Sequence, residues 1–235
     1  GTNAGANFSG TDAEHNILIG YEAGNAITTA DNNVAIGYEA LKSVDTESGN
    51  TAVGYRALKE VTGMGYNVAV GYEAGYYTYS MYECTAVGFK AMSKPVQSGV
   101  NTWYSVAIGA NAMSACGGDR HEALEGNNAG TADDNTAIGH QSLSSVLSNG
   151  LKNTAVGSLS GKATTTGDEN VYIGYNAGNN AHATGSNCII IGNNSAASST
   201  SVSNEITLGD ANITKFRIPG IGLTFTSVGA EISGI

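Results

Sequence analysis

The sequence predicts an all-β protein, a parallel β-solenoid built from coils of about 17 residues. Three regularities carry the prediction. A glycine returns at Gly20, Gly37, Gly54, Gly71, Gly88, Gly109, Gly139, Gly157, Gly174, Gly192 and Gly209, at intervals of 17, 17, 17, 17, 21, 30, 18, 17, 18 and 17 residues. The residue three before that glycine is β-branched in every copy, from Ile17, Val34 and Thr51 to Ile189 and Ile206, and the residue directly before it is Ile, Val or Leu. Asn stands four before it at Asn16, Asn33, Asn50, Asn67, Asn135, Asn153 and Asn170. A fixed period of this kind marks a stack of equivalent coils, each burying its apolar side against its neighbours.

Each coil is expected to open with a short strand, because β-branched residues at alternate positions favour extended backbone. Side chains alternate along a strand, so the two bulky positions share a face with the residue after the glycine, often Tyr as in Tyr21, Tyr38, Tyr55, Tyr72 and Tyr175. The opposite face carries Ala35, Ala52, Ala69, Ala86, Ala107, Ala137 or Ala155, followed by the glycine. A face of Ala and Gly admits another backbone closely, so both faces are expected to be buried. A 17-residue coil is too thin to cover both, and an obligate oligomer with a neighbouring copy on one side is the expected remedy. The Asn column is explained by turn geometry and by amides bonding from rung to rung, without invoking a ligand ladder. Further along, Ala23, Ala40, Ala57, Ala74, Ala91, Ala112 and Ala177 precede Gly, Leu, Met or another Gly and predict a second small-then-apolar wall. A polar return such as Lys42 to Gly49 then closes the coil.

The repeat domain runs over 1–209, with insertions near 93–104 and 110–134, and a C-terminal exit segment covers 210–235. A decayed copy near Gly126 would divide the longest interval. The opening Gly1-Thr2-Asn3-Ala4-Gly5 reads like Gly174-Tyr175-Asn176-Ala177-Gly178, so the chain is expected to begin inside a coil; without an initiator Met it reads as a fragment or processed piece. About eleven or twelve rungs at ~4.8 Å each make a body roughly 50 Å long.

Composition agrees with stacked coils having tight corners: Gly is abundant at 33 residues, and Pro occurs only twice. The 20 acidic residues outnumber the 10 basic ones for a net charge of -10, which argues against nucleic acid as a partner. No apolar run approaches the roughly 20 residues of a membrane span, so no membrane insertion is expected. Cys84, Cys116 and Cys188 form no metal-ligand spacing. Cys84 and Cys188 take the Asn slot in coils five or more apart, so at ~4.8 Å per rung they lie roughly 25 Å from each other and cannot bridge within a chain.

No catalytic or nucleotide-binding motif appears, and His15, His121, His140 and His182 are scattered over different coils. Neither enzyme activity nor a cofactor or metal is expected. The charged knot Asp119-Arg120-His121-Glu122 reads as a solvated loop in preference to an acid-base or metal site. Aromatics are more informative, because Tyr72, Tyr76, Tyr77, Tyr79, Tyr82 and Phe89 crowd two coils and Trp103-Tyr104 follows the first insertion. Regular rungs make a scaffold, and a binding surface is added to it by insertions and aromatics. The candidate receptor-binding patch spans Tyr76 to Tyr82, Lys94 to Tyr104 and Met113 to Asp134. Its candidate residues are Tyr76, Tyr77, Tyr79, Tyr82, Trp103, Tyr104, Asp119, Arg120 and His121. The alternative is that these tyrosines stack between rungs or seal the oligomer.

The phrase Asn-x-Ala-[Val/Ile]-Gly, followed by a small or aromatic residue and Ala, resembles the left-handed β-roll repeat of trimeric autotransporter adhesin heads. With Tyr after the glycine, as in Gly37-Tyr38-Glu39-Ala40-Leu41, it is more similar to repeats in tailed-phage fibre proteins. The likeness covers about Gly1 to Gly209, and the 17-residue period favours the phage repeats over the shorter adhesin coils. Acyltransferase β-helices need three hexapeptides per coil, whereas the aliphatic-Gly signature occurs here once; depolymerase β-helices use longer coils with paired carboxylates. The resemblance implies a homotrimeric tail fibre on the virion, outside the cell, which works with other tail proteins to attach to a glycan or protein receptor on the bacterial surface. The alternative it implies is a trimeric adhesin head on a bacterial cell surface that binds host surfaces; a polysaccharide depolymerase ranks below both. Asn204 to Gly220 resembles the exit from such repeats toward a trimerising or self-cleaved chaperone end, for which Gly222 to Ile235 is too short.

Overall fold

The computed structural model describes residues 1–9, 13–61, 63, 65–76, 80–93, 101–114, 133–146, 149–178, 183–218, 223–226 and 229–232. The inserted residues 94–100 and 115–132, with the decayed copy sought near Gly126, lie outside them. Every regular element among the described residues is a strand. In chain order these are β1 (Ile17–Ile19), β2 (Val34–Ile36), β3 (Thr51–Val53), β4 (Val68–Val70), β5 (Ser80–Tyr82), β6 (Thr85–Val87), β7 (Asn101–Trp103) and β8 (Val106–Ile108). They continue with β9 (Thr136–Ile138), β10 (Thr154–Val156), β11 (Val171–Ile173), β12 (Ile189–Ile191), β13 (Ile206–Leu208), β14 (Lys215–Ile218), β15 (Leu223–Thr226) and β16 (Gly229–Ile232).

Eleven of these strands form one parallel sheet, in the order β1-β2-β3-β4-β6-β8-β9-β10-β11-β12-β13. Each repeat glycine follows its strand, and its registers join equivalent positions, as in Ile17 with Val34 and Ile19 with Ile36. The sheet is a parallel solenoid: the coil advances one strand per repeat, so ten steps of ~4.8 Å carry it roughly 48 Å. The glycine is required twice over. At Gly54 φ is +135°, and a Cβ would fall 2.3 Å from the Gly71 carbonyl oxygen in the next rung. The backbone therefore turns out of the strand where only glycine fits.

The alanine face packs inside the chain's own coil. Ala35, Ala52, Ala69, Ala86, Ala107, Ala137 and Ala155 are fully buried, as are the facing wall residues Leu41, Leu58, Met92, Met113 and Leu143. An alanine is short enough that the second wall of the same coil closes over it. Where Tyr172 replaces the alanine it is also fully buried, and Gly178 makes room: a Cβ there would fall 2.2 Å from the Tyr172 ring. A single coil covers only one strand face, as its thinness predicts. The outward face stays open, with Ile17 51% and Ile19 56% exposed, and Ile36, Val68, Val70, Ile108, Ile138, Val156 and Ile173 also exposed.

Two hydrogen-bond ladders tie the coils together before each strand. The Asn column behaves as the repeat predicts: Asn50 N donates to Asn33 Oδ1 at 2.8 Å, and Asn170 N to Asn153 Oδ1 at 3.1 Å, with these amides buried. A second ladder, two residues earlier, was not read from the repeat. Asp31 N donates to Ser48 Oγ at 2.9 Å, Leu151 N to Asp168 Oδ1 at 2.8 Å, and Asp168 N to Ser186 Oγ at 3.0 Å. Cys84 and Cys188 are buried free thiols in the Asn column, five strands apart in the sheet. Desolvation pushes the Cys84 thiol up to about 11.

The opening residues belong to a coil as expected: Glu22 N donates to Thr2 O at 2.9 Å and Gly5 N to Ala23 O at 3.1 Å. At the other end β14, β15 and β16 form a separate three-stranded antiparallel sheet. Among the described residues no helix is long and apolar enough to cross a membrane.

Candidate functional site

Aromatic side chains gather at both ends of the sheet's short strands, and the two groups are built differently. The residue after the glycine gives Tyr21, Tyr38, Tyr55, Tyr72 and Phe89, whose rings stack at centroid separations of 5.1, 5.2, 4.9 and 5.4 Å. Parallel strands in register put equivalent side chains one strand spacing apart, and flat rings fill that spacing face to face. Beside this ladder runs a charged chain. Lys42 Nζ lies 2.6 Å from Glu22 Oε2 and 2.9 Å from Glu39 Oε1, while Arg56 Nε and Lys59 Nζ reach Glu39 Oε2 at 2.8 and 3.1 Å. Burial would raise the Glu39 carboxyl, but hydrogen bonds from Lys42, Arg56 and Lys59 outweigh it and lower its pKa to about 2.

The second group stands at the other end of the strands, where the hydrogen-bond ladders run. The slot two before the Asn position, filled elsewhere by Asp31, Ser48, Asp168 or Ser186, holds Gly65, Tyr82 and Trp103 in three consecutive rungs. The Asn position itself holds Asn67, then Cys84, then Ser105. Side-chain acceptors are missing from the earlier slot where aromatics enter, although the Asn column still bonds from rung to rung, Cys84 N donating to Asn67 Oδ1 and Asn135 N to Ser105 Oγ, each at 3.1 Å. A two-stranded parallel sheet of β5 and β7 forms there instead and sets Tyr82 opposite Trp103. Tyr66 and Tyr82 meet edge to face at 6.2 Å and 81°, and Tyr82 and Tyr104 at 5.7 Å and 78°. Tyr66 is 62% exposed and Tyr104 49%. Gly49 provides the ledge for Tyr66, since a Cβ there would fall 2.7 Å from the Tyr66 ring.

Carboxylates surround this cluster. Asp133 Oδ1 accepts the Trp103 backbone N–H at 2.8 Å, and Glu83 and Asp134 are exposed. A side-chain hydrogen bond to Glu83, and its charge, raise the Tyr82 hydroxyl pKa. Thr102 Oγ1 and Trp103 Nε1 are buried without a hydrogen-bond partner, an arrangement that costs about 1–3 kcal/mol per group.

Of the residues singled out from the sequence, the structure brings Tyr82, Trp103 and Tyr104 together. Tyr76 is corrected: at 7% exposure it belongs to the interior, with the Lys59 ammonium 5.6 Å from its ring centroid, because the coil wall closes over it. Tyr77, Tyr79, Asp119, Arg120 and His121 lie outside the described residues. Tyr66 was missed, although the signal was present: it stands directly before Asn67, in the slot that Tyr104 occupies before Ser105. Among the described residues no group of three or more His, Cys, Asp and Glu side chains could hold a metal ion. Compared with protein-family models, curated proteins and solved structures, the chain matches none.

Proposed function

We propose that this chain is a segment of a homotrimeric attachment fibre of the tailed-phage type, and that it binds a receptor on the bacterial surface without covalent chemistry. One observation carries the reading: the regular solenoid leaves its outward strand face open, a strip of Ile, Val and Leu with Thr at four rungs, running from Ile17 to Leu208 along the sheet. Contiguous apolar surface of this kind marks an interaction site on a protein of net charge -10. Copies of the same chain fit it, because a straight strip with a fixed period matches itself rung for rung. The repeat's likeness to fibre repeats supports three copies, the virion tail as location and other tail proteins as neighbours. The cluster around Tyr82 is the receptor site in this reading, since recognition residues sit where a rigid scaffold is interrupted. Three copies multiply a weak single-site affinity.

Light scattering tests the assembly. The expected mass is three times that of the chain, and Ile138→Asp together with Val70→Asp should release monomers by placing charge in the shared face. A wild-type chain that stays monomeric at every concentration overturns the fibre reading. Adsorption to host cells tests the site: Tyr82→Leu is expected to lose binding while the trimer persists.

A further inference from the structure

We propose that the cluster of Tyr66, Tyr82 and Tyr104 binds an ammonium group, quaternary or protonated, carried by the envelope glycan to which the fibre attaches; this rests on the attachment reading above. The column directly before the Asn position reads Tyr66, Glu83, Tyr104, Asp134 in four consecutive rungs, so ring and carboxylate alternate at the strand spacing. All four residues have positive φ, between 51° and 64°, so the backbone turns in the same way at each. Tyr82 stands in the neighbouring column and meets both rings edge to face.

Ring faces carry the negative lobe of the π-system and attract cations, provided the faces are free. Each edge-on contact occupies one face, so among the described residues the two contacts take two of the six faces in this cluster. In the stacked ladder four contacts take eight of ten. The chain's cations that meet a ring among the described residues do so elsewhere. Arg56 lies 4.8 Å from the Tyr55 centroid, Lys90 5.4 Å from Phe89 and Lys59 5.6 Å from Tyr76; among the described residues none lies over Tyr66, Tyr82 or Tyr104. The next cation along the column, Lys152, is 3.4 Å from the carboxylate of Glu169. The exposed rings of Tyr66 and Tyr104, with the half-buried Tyr82 meeting both and the exposed Glu83 and Asp134 in the same column, therefore offer a cation both an aromatic wall and opposite charge. Those carboxylates would repel an anionic ligand, and a neutral one would gain hydrogen bonds from them but no charge attraction.

Trp103 is the only tryptophan in the chain and lies opposite Tyr82 in the β5–β7 pair, so its fluorescence reports on the site. The trimer is titrated with tetramethylammonium chloride, with 3,3-dimethylbutan-1-ol as the neutral isostere of choline, and with potassium chloride as the ionic control. A saturable change with tetramethylammonium is expected, with at least about tenfold weaker response to the neutral isostere. Tyr82→Leu should abolish it, and the conservative Glu83→Gln should weaken it severalfold without altering the thermal transition. Equal response to the isostere, no saturable response to tetramethylammonium, or a response that survives Tyr82→Leu overturns the proposal. Host-cell adsorption separates the two readings: if Tyr82→Leu abolishes adsorption and tetramethylammonium neither binds nor competes, attachment stands and the ammonium site falls. If Tyr82→Leu leaves adsorption intact, the receptor site itself falls.

Discussion

The stacked ladder from Tyr21 to Phe89 and the edge-on cluster around Tyr82 are made of nearly the same side chains on the same scaffold. They differ in what surrounds them. Next to the ladder the coil is regular, its Asn column intact through Asn33, Asn50 and Asn67, and its charges paired through Glu39. At the cluster the Asn column passes to Cys84 and Ser105, the Asp/Ser ladder is interrupted, and two buried polar atoms lack partners. The ladder spends its ring faces on itself and contributes stiffness. The cluster keeps ring faces open where two buried side-chain atoms, Thr102 Oγ1 and Trp103 Nε1, lack partners, a local violation of the kind recognition sites commonly carry. The rungs of β4 and β6 carry both, so the same repeat serves rigidity at the glycine end of its strands and recognition at the end where the polar slots are replaced.

The comparison can be broken most forcefully at the backbone that both regions share. Gly54→Val should prevent folding, a loss exceeding about 4 kcal/mol, because the new side chain collides with the Gly71 carbonyl and φ is +135°; circular dichroism and solubility measure it. Asn153→Leu should cost about 3 kcal/mol by leaving the Gly167 carbonyl and the Asn170 N–H buried without partners, read from chemical denaturation. Tyr55→Ala removes two stacked contacts and should cost about 1–3 kcal/mol, whereas Tyr82→Ala should move the transition less and act on binding. Equal destabilisation by the two would erase the distinction between ladder and cluster. Cys84→Asn restores the polar slot and should add about 1 kcal/mol, a small rise in thermal midpoint; a fall would mean that the thiol's packing matters more than the ladder.

Acid sharpens the same contrast. The folded-state pKa of Glu39 is about 2, below its ordinary value, so its network adds stability above the ordinary carboxylate range. That stability is lost as pH falls through about 2. Glu39→Gln should flatten this part of the acid-unfolding profile of the ladder region, monitored by tyrosine circular dichroism.

Much of the scaffold was legible because its spacing is covalent. The glycine interval, the β-branched positions and the Asn column predicted the parallel strands, their register and the buried amide ladder. The Asp/Ser ladder was harder to read, since its slot also accepts Gly65, Tyr82, Trp103 and Leu151, and only rung-to-rung geometry reveals the shared role. At the candidate site Tyr82, Trp103 and Tyr104 were found by their crowding. Tyr76, from the same crowd, turns into the interior, because position within the coil governs its direction and aromatic density does not.

The amino-acid order by itself determined the class of fold, the coil length and the interruption of the repeat, since each follows from period-two side-chain alternation and a glycine no other residue can replace. Which strand face the coil keeps for itself was decided only by the tertiary structure. Both faces are apolar in sequence, and the second wall of Leu41, Leu58, Met92 and Met113 closes on the short alanines, Gly178 making room where Tyr172 replaces one. The aliphatic face and the open rings of the Tyr82 cluster are then left on the surface.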